Sequence, residues 1–347
     1  MLGHRFATAA RMTDVSQIYV DEFRDFAGLR APALIQRSGH ADAFIQRVPG
    51  AEFCTLVQDA IMRSADRALA FRFGAAIGGR GFGLLGVATA AAPSLLHSLH
   101  SLLRWEPLTS TLGRTSLQYS NRQVRVSWTP EPGVCAAVVE GALAGWVAFG
   151  RFLVGEAMPV SALEVCHADE GHRAEAEALL GCPVIFGAAG NAVIFPAEIL
   201  EARPRYADAV LHARLAGWLD DCVRVIGQQR ESPLLRVGGI ILQGLAWGDS
   251  AEDRIAERLG LARRTLQRRL GEAGIQFRRL RELVRASLAV SQLSTGGNRF
   301  IDIAQRLGYE EQATFSRAVR QWTGRSPREF SRLFADGYGD LRRGRGG

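Results

Sequence analysis

The chain has 347 residues, 47% hydrophobic and 22% charged, a balance that excludes a disordered or fibrous protein and leaves room for two or three packed cores. All 42 basic side chains are Arg, and against 35 acids they give a net charge of +7. The charge is segregated: residues 230–347 carry 22 Arg against 13 acids, and 1–229 carry 20 against 22, so the second half alone has the electrostatic footprint of a nucleic-acid partner.

Residues 1–14 read as a frayed start, and no charged segment followed by an apolar one announces a secretory signal. Phe53, Leu56, Val57, Ala60 and Ile61 recur at helical spacing and predict one helix over Ala51–Ala70. The glycine-rich passage Phe73–Gly86 contains Gly81-Phe82-Gly83-Leu84-Leu85-Gly86, which matches a dinucleotide fingerprint only as a string. A fingerprint needs a preceding strand, an immediate helix and an acid about twenty positions on. Here the next predicted helix starts near Pro93, and Leu102, Leu103 and Arg104 stand in the place of the acid, so no nucleotide is expected.

Ser94–Trp105 reads as an amphipathic helix with Leu95, Leu96, Leu99, Leu102 and Leu103 inward and His97 and His100 as a partly exposed pair. Ser116–Ser120 and Gln123–Thr129 alternate as a hairpin about Ser120-Asn121, ended by Pro130. Val134–Gly155 is apolar almost all round, but Glu140, Arg151 and its glycines favour a buried core helix over a membrane span. A strand over Ala162–His167, a helix over Arg173–Leu180 and short strands at Pro183–Phe186 and Ala192–Phe195 complete an α+β half.

Chemistry is sparse in this half. Cys54, Cys135, Cys166, Cys182 and Cys222 are odd in number, widely spaced and set in apolar context, which reads as reduced core thiols of a cytosolic protein. Cys166, His167 and His172 can be drawn as metal ligands, but a structural zinc needs four ligands in short paired spacings, so they read as a strand-end and a loop His with no metal. No nucleophile elbow, zinc-protease helix or phosphate loop occurs, so neither catalysis nor a cofactor is expected. A small-molecule pocket is placed among Phe73, Phe82, Leu99, Trp146, Phe149 and Phe186, residues that can equally fill a core.

Leu211, Leu215, Trp218, Cys222 and Ile226 stripe a predicted helix over Tyr206–Ile226, which either packs onto the first half or pairs with its mate in a homodimer. Gln228–Pro233 reads as a linker. Beyond it the sequence repeats: Ile255-Ala256-Glu257-Arg258-Leu259-Gly260 returns 48 positions later as Ile303-Ala304-Gln305-Arg306-Leu307-Gly308. Each copy is a short amphipathic helix, a glycine corner and a second helix. The first copy turns Ile255, Ala256, Leu259, Leu266 and Leu270 inward and Arg263, Arg264, Gln267 and Arg268 outward. The second buries Ile303, Ala304, Leu307, Phe315, Val319 and Trp322, and presents Gln312, Thr314, Ser316, Arg317, Arg320 and Gln321. Guanidinium, amide and hydroxyl donors on an outward helix suit phosphates and base edges in a major groove.

The ordered series Leu307-Gly308-Tyr309, Phe315-Ser316-Arg317-Ala318 and Trp322-Thr323-Gly324-Arg325-Ser326-Pro327-Arg328-Glu329-Phe330 closely resembles the C-terminal signature of AraC/XylS-type transcriptional regulators, over about 230–334. The resemblance implies two helix-turn-helix subdomains joined by a long helix over Phe277–Leu293, with recognition helices at 263–270 and 312–321 reading adjacent major-groove segments. It implies RNA polymerase as a further partner. Arg268 and Arg317 occupy equivalent positions and either reach DNA or brace the fold through an acid such as Glu329. Two places depart from the family's pattern: Ala262 stands where Ser is usual, and Glu310 and Ala313 where Ser or Asp and Ser are usual, so hydroxyls that cap helices and donate to phosphates are missing. The tract Phe186-Gly187-Ala188-Ala189-Gly190-Asn191-Ala192-Val193-Ile194-Phe195-Pro196 and the order of elements before it resemble the family's arabinose-binding-like effector domain.

The expected organisation is thus an α+β effector-binding and dimerisation domain over 1–205, a helical linker over 206–229, an all-α double helix-turn-helix domain over 230–335 and a basic disordered tail over 336–347. The expected function is sequence-specific, effector-controlled transcription regulation on double-stranded DNA in the cytoplasm, with no enzymatic activity and no membrane partner. An alternative makes the first half an assembly module without a ligand. A DNA-repair enzyme carrying the same module needs a four-cysteine zinc cluster, whereas no two cysteines here lie closer than 16 positions.

Overall fold

A computed structural model of the chain describes residues 13–29, 44–78, 82–120, 122–227, 233–246, 248–295 and 299–339. The first half is α+β, and the second is wholly helical. Strand β1 (Asp14–Ser16) pairs antiparallel with β2 (Arg47–Pro49), setting Val15 opposite Val48. Asp14 therefore lies in no frayed start: it is buried and bound to Arg47, whose Nη2 lies 2.7 Å from Asp14 Oδ1. Residues 1–12 lie outside the described residues.

Helix α1 (Gln17–Phe26) is followed by α2 (Gly50–Ser64) and α3 (Leu69–Ile77), so the single helix predicted over Ala51–Ala70 is two. The chain breaks at Ala65, whose φ of 54° is left-handed, and Asp66 accepts from Ala68 N and Arg72 Nε at 3.0 Å. A short acid offers the backbone an alternative to the helical ladder, and apolar spacing carries on through the break regardless. Helix α4 (Gly83–Ala90) occupies part of the glycine-rich passage, where no helix was expected. Its residues are all buried, so it has no polar face for periodicity to reveal. A helix, not a strand, precedes it, which leaves the fingerprint string without its fold.

Helix α5 (Leu95–Trp105) starts at Ser94, whose hydroxyl accepts from His97 N. Strands β3 (Gly113–Tyr119) and β4 (Gln123–Pro130) form the predicted hairpin; Asn121 of its turn lies outside the described residues. After α6 (Ala136–Val154) come β5 (Ala162–Val165), α7 (Arg173–Leu180), β6 (Val184–Phe186) and β7 (Asn191–Pro196). The sheet order is β3-β4-β7-β5-β6, antiparallel except between β5 and β6. Helix α6 is long and apolar enough to cross a membrane, but here it is the core helix, laid between α3 and the sheet with 67% of its apolar window buried. The close crossing depends on Gly74: a Cβ there would lie 2.7 Å from Ala144 Cβ and 2.8 Å from Gly145 N.

Helix α8 (Ala209–Gly227) buries Leu211, Leu215, Trp218, Cys222 and Ile226 in a core shared with both halves, which decides the open alternative for its stripe in favour of packing within the chain. Residues 228–232 of the expected linker lie outside the described residues. Helix α9 (Pro233–Ala246) leads to α10 (Glu252–Arg258) and α11 (Arg263–Glu272), then α12 (Phe277–Thr295), α13 (Phe300–Arg306), α14 (Gln312–Thr323) and α15 (Pro327–Gly339). Residues 336–339 of the expected tail are thus helical, continuing an amphipathic run anchored by buried Phe330 and Phe334. Cys54, Cys182 and Cys222 are buried, but Cys166 is exposed because β5 ends at Val165 and the chain turns outward.

Candidate DNA-reading surface and interior cavity

The duplicated sequence folds into duplicated corners, bond for bond. In the first, Gly260 N donates to Glu257 O and Leu261 N to Ala256 O, both at 2.9 Å. In the second, Gly308 N donates to Gln305 O and Tyr309 N to Ala304 O, again at 2.9 Å. Gly260 and Gly308 take φ of 66° and 71°, a left-handed turn that a Cβ would strain. Ile255, Ala256, Leu266 and Leu270 in one unit, and Ile303, Ala304, Leu307, Phe315, Val319 and Trp322 in the other, are buried.

Helices α11 and α14 turn their other faces to solvent. Arg263, Arg264, Gln267 and Arg268 are exposed, as are Gln312, Arg317, Arg320 and Gln321, while Thr314 and Ser316 are half-buried. Arg263 pairs with Glu252 and Asp253, Arg268 with Glu272 at 2.6 Å, and Arg317 Nη2 donates to Thr314 Oγ1 at 3.1 Å. Arg264 and Gln267 make no side-chain bond among the described residues, so their donors face outward. Glu329 does not brace Arg317. It closes a capping box instead, accepting from Ser326 N at 2.8 Å while Ser326 Oγ accepts from Glu329 N at 3.3 Å. The Gly-x-Ser-Pro series therefore has a local cause: Gly324 ends α14 in the left-handed region, Ser326 caps α15, and Pro327 fills its first position. Ala262 is the N-cap of α11 and Glu311 that of α14, and neither side chain caps its helix.

Between α5, α6 and the sheet lies a cavity of about 130 Å³. Phe82, Leu99, Trp146 and Phe149 of the expected pocket line it. Phe73 and Phe186 do not: Phe73 packs edge-on against Tyr19 and Phe23, and Phe186 faces His167 and His172. Aromatic character makes Phe73 a candidate for either a pocket or a core, and α3 turns it into the core. The leucine stripe of α5 predicts core positions, but Leu99, Leu102 and Leu103 are only half-buried and line the cavity, while Leu95, Ser98, Ser101 and Trp105 are the buried residues of that helix.

The fold also brings Glu140 together with His172 and His167, a juxtaposition the sequence reading does not foresee. Glu140, buried on α6, lies 2.8 Å from His172 Nε2 and 3.4 Å from His167 Nε2. Burial, with Glu170 and Asp169 nearby, pushes the Glu140 carboxyl up to about 8, and burial pushes the His172 imidazole down. Among the described residues no group of three His, Cys, Asp or Glu is disposed to hold a metal. Only a sheet topology that folds the 166–172 loop over α6 brings these residues together; their spacing in sequence carries no signal.

The arabinose-binding N-terminal domain of the AraC transcription regulator matches residues 25–204, and a helix-turn-helix domain matches residues 255–333. The chain belongs to the AraC family of transcription regulators. Within that family it is 37% identical over 95 residues to the HTH-type transcriptional regulator VirS of Mycobacterium tuberculosis, a match covering 27% of this chain and 28% of VirS. The chain thus spans under a third of the length of the curated relatives it matches first. A longer match, 23% identical over 283 residues, reaches the ornithine utilization regulator of Pseudomonas aeruginosa and covers 80% of this chain and 83% of that one. The crystal structure of the transcriptional regulator CdpR from P. aeruginosa covers 90% of this chain and 96% of its own at 20% identity, with a TM-score of 0.45.

Proposed function

We propose that this AraC-family chain is a sequence-specific transcription regulator that reads double-stranded DNA through α11 and α14 and takes a small-molecule effector in the cavity of its first half. The observation that carries the reading is the paired corner geometry, which holds two donor-rich helix faces in solvent within a half of net positive charge. Arg263, Arg264, Gln267 and Arg268 are assigned to one major-groove segment, and Gln312, Thr314, Ser316, Arg317, Arg320 and Gln321 to the next. Division of labour follows the elements, with sensing in 1–205, coupling in 206–229 and reading in 230–335.

Coupling runs through α4 and α8. Phe82 and Leu85 at the start of α4 line the cavity on one side and, on the other, a small crevice shared with Leu219, Cys222 and Ser287. Adjacent acids on α8 then bind opposite ways. Asp220 accepts from Trp105 Nε1 at 2.8 Å and pairs with Arg104, while Asp221 pairs with Arg279 of α12 at 2.7 Å. An effector acts only by as much as it discriminates between two arrangements of these contacts.

The test is a gel-shift of the full chain on upstream DNA of its own genome with bulk competitor, repeated across salt. The expected result is a retained, specific complex whose affinity falls steeply with salt as counterions are released. Equal binding to competitor overturns the reading.

A further inference from the structure

The cavity has an unbalanced charge. Leucine and aromatic side chains make most of its wall, and among its lining residues there is neither Arg nor His. One carboxylate stands in it, that of Glu106, in the turn that follows α5. Its contacts are neutral: Thr115 N donates to Oε2 at 3.1 Å, and the Thr115 hydroxyl donates to Oε1. A carboxylate offers about four lone-pair sites, so two bonds leave room for a ligand's donor. Three other partly buried acids hold a guanidinium, Asp14 with Arg47, Glu164 with Arg125 and Asp208 with Arg325, and buried Glu140 has two histidines. Burial pushes the Glu106 carboxyl upward, and only the Thr115 bonds oppose it; no cation helps. A carboxyl taken from water either gives up its charge or finds a partner.

We propose that the effector is an apolar molecule ending in one protonated amine, whose ammonium pairs with Glu106 while its body lies along Leu99, Leu102, Trp146 and Phe149. This rests on the reading of the cavity as an effector site and adds to it the charge of the ligand. A carboxylate ligand brings a second anion to Glu106 with no cation to hold it. A sugar brings several hydroxyls to a wall with few polar groups, and unmet donors are costly there. A charge-assisted bond to Glu106 is stronger than a neutral one, so the amine is selected over its own alcohol.

The experiment compares matched probes on the full chain by thermal shift and calorimetry: phenethylamine, phenethyl alcohol and phenylacetate, with hexylamine, hexanol and hexanoate as a second body. The amines are expected to raise the melting temperature and to bind roughly tenfold or more tightly than the alcohols, with no binding by the acids. Glu106→Gln, which still accepts from Thr115, is expected to abolish the preference for amine over alcohol while leaving alcohol binding in place. In the unsubstituted chain, amine affinity is expected to fall as pH is lowered and Glu106 gains its proton. Acids or alcohols binding as well as amines, or a preference that survives Glu106→Gln, overturns the amine assignment and leaves the effector site standing. No binding by any of the six compounds removes the effector reading itself, and the amine with it.

Discussion

Arg279 lies over Trp218, its guanidinium carbon 3.6 Å from the ring centroid, and the two residues come from the connecting helix α12 and from α8. The same guanidinium holds Asp221, and Trp218 meets Trp322 of α14 edge-on at 6.4 Å. One indole thus touches both the helix that joins the two helix-turn-helix units and the second helix of the later unit. A double-mutant cycle on Trp218→Ala and Arg279→Ala, read by chemical denaturation, is expected to give a coupling of about 1–2 kcal/mol. Simple additivity would show that the stack is incidental.

Gln267→Ala and Arg264→Ala remove exposed donors that the fold does not use. Each is expected to cost about 1–3 kcal/mol in binding to the preferred DNA, relax preference at one base position and leave the melting temperature unchanged. A loss that is equal on all DNA sequences would assign the residue to phosphate instead.

Ala262 begins α11 with an extended backbone (φ −67°, ψ 144°) and no side-chain acceptor for the free N–H groups of the first turn. Ala262→Ser supplies one and is expected to raise stability by about 0.5–2 kcal/mol in urea titration. No gain would mean that those N–H groups are already satisfied by water.

Gly74→Ala puts a methyl against Ala144 and the backbone of α6, where no flexible side chain can move aside. Destabilisation of about 3 kcal/mol is expected, at the upper end of overpacking costs. Far-ultraviolet melts measure it, and a melt equal to that of the unsubstituted chain would refute the close crossing.

The Glu140–His172 pair sets a pH limb. Glu140's carboxyl, raised to about 8 in the fold, holds a proton that the unfolded chain has released, so its contribution is present at low pH and declines as pH rises through that value. His172, lowered in the fold, works on the acid side: its contribution is present above the ordinary imidazole value and lost as pH falls. The decline between about pH 7 and 8 therefore belongs to Glu140. Stability measured across that interval is expected to fall in the unsubstituted chain and to stay level in Glu140→Gln; parallel curves would locate the proton elsewhere.

How far this architecture was legible depended on periodicity and repetition. The helix-turn-helix frames were readable to within two residues at their helix ends, because a repeated hexamer with a glycine at its corner leaves few folds available; Leu259, expected inward, is half-buried. The α6 helix and the hairpin were readable from apolar runs and turn residues. Helix α4 was not, since small residues buried on every side give no face, and the break at Ala65 hid beneath unbroken apolar spacing. In the pocket, aromatic residue types marked candidates but not which of them border empty space; Phe82, Leu99, Trp146 and Phe149 do, and Phe73 is packed over by other rings. Glu106 gave no signal, because a carboxylate becomes distinctive only once the fold sets it in a cavity whose lining has neither Arg nor His.

The twin corners share a frame but not a face. Helix α11 shows mostly guanidinium, and α14 mixes amides and hydroxyls with its Arg. On the proposed reading, a chain that grips DNA with two unlike heads in fixed order has a front and a back. The sequence it prefers has no reason to be palindromic, and turning that site end for end beside a promoter would aim the first half, with whatever it carries, the other way along the duplex.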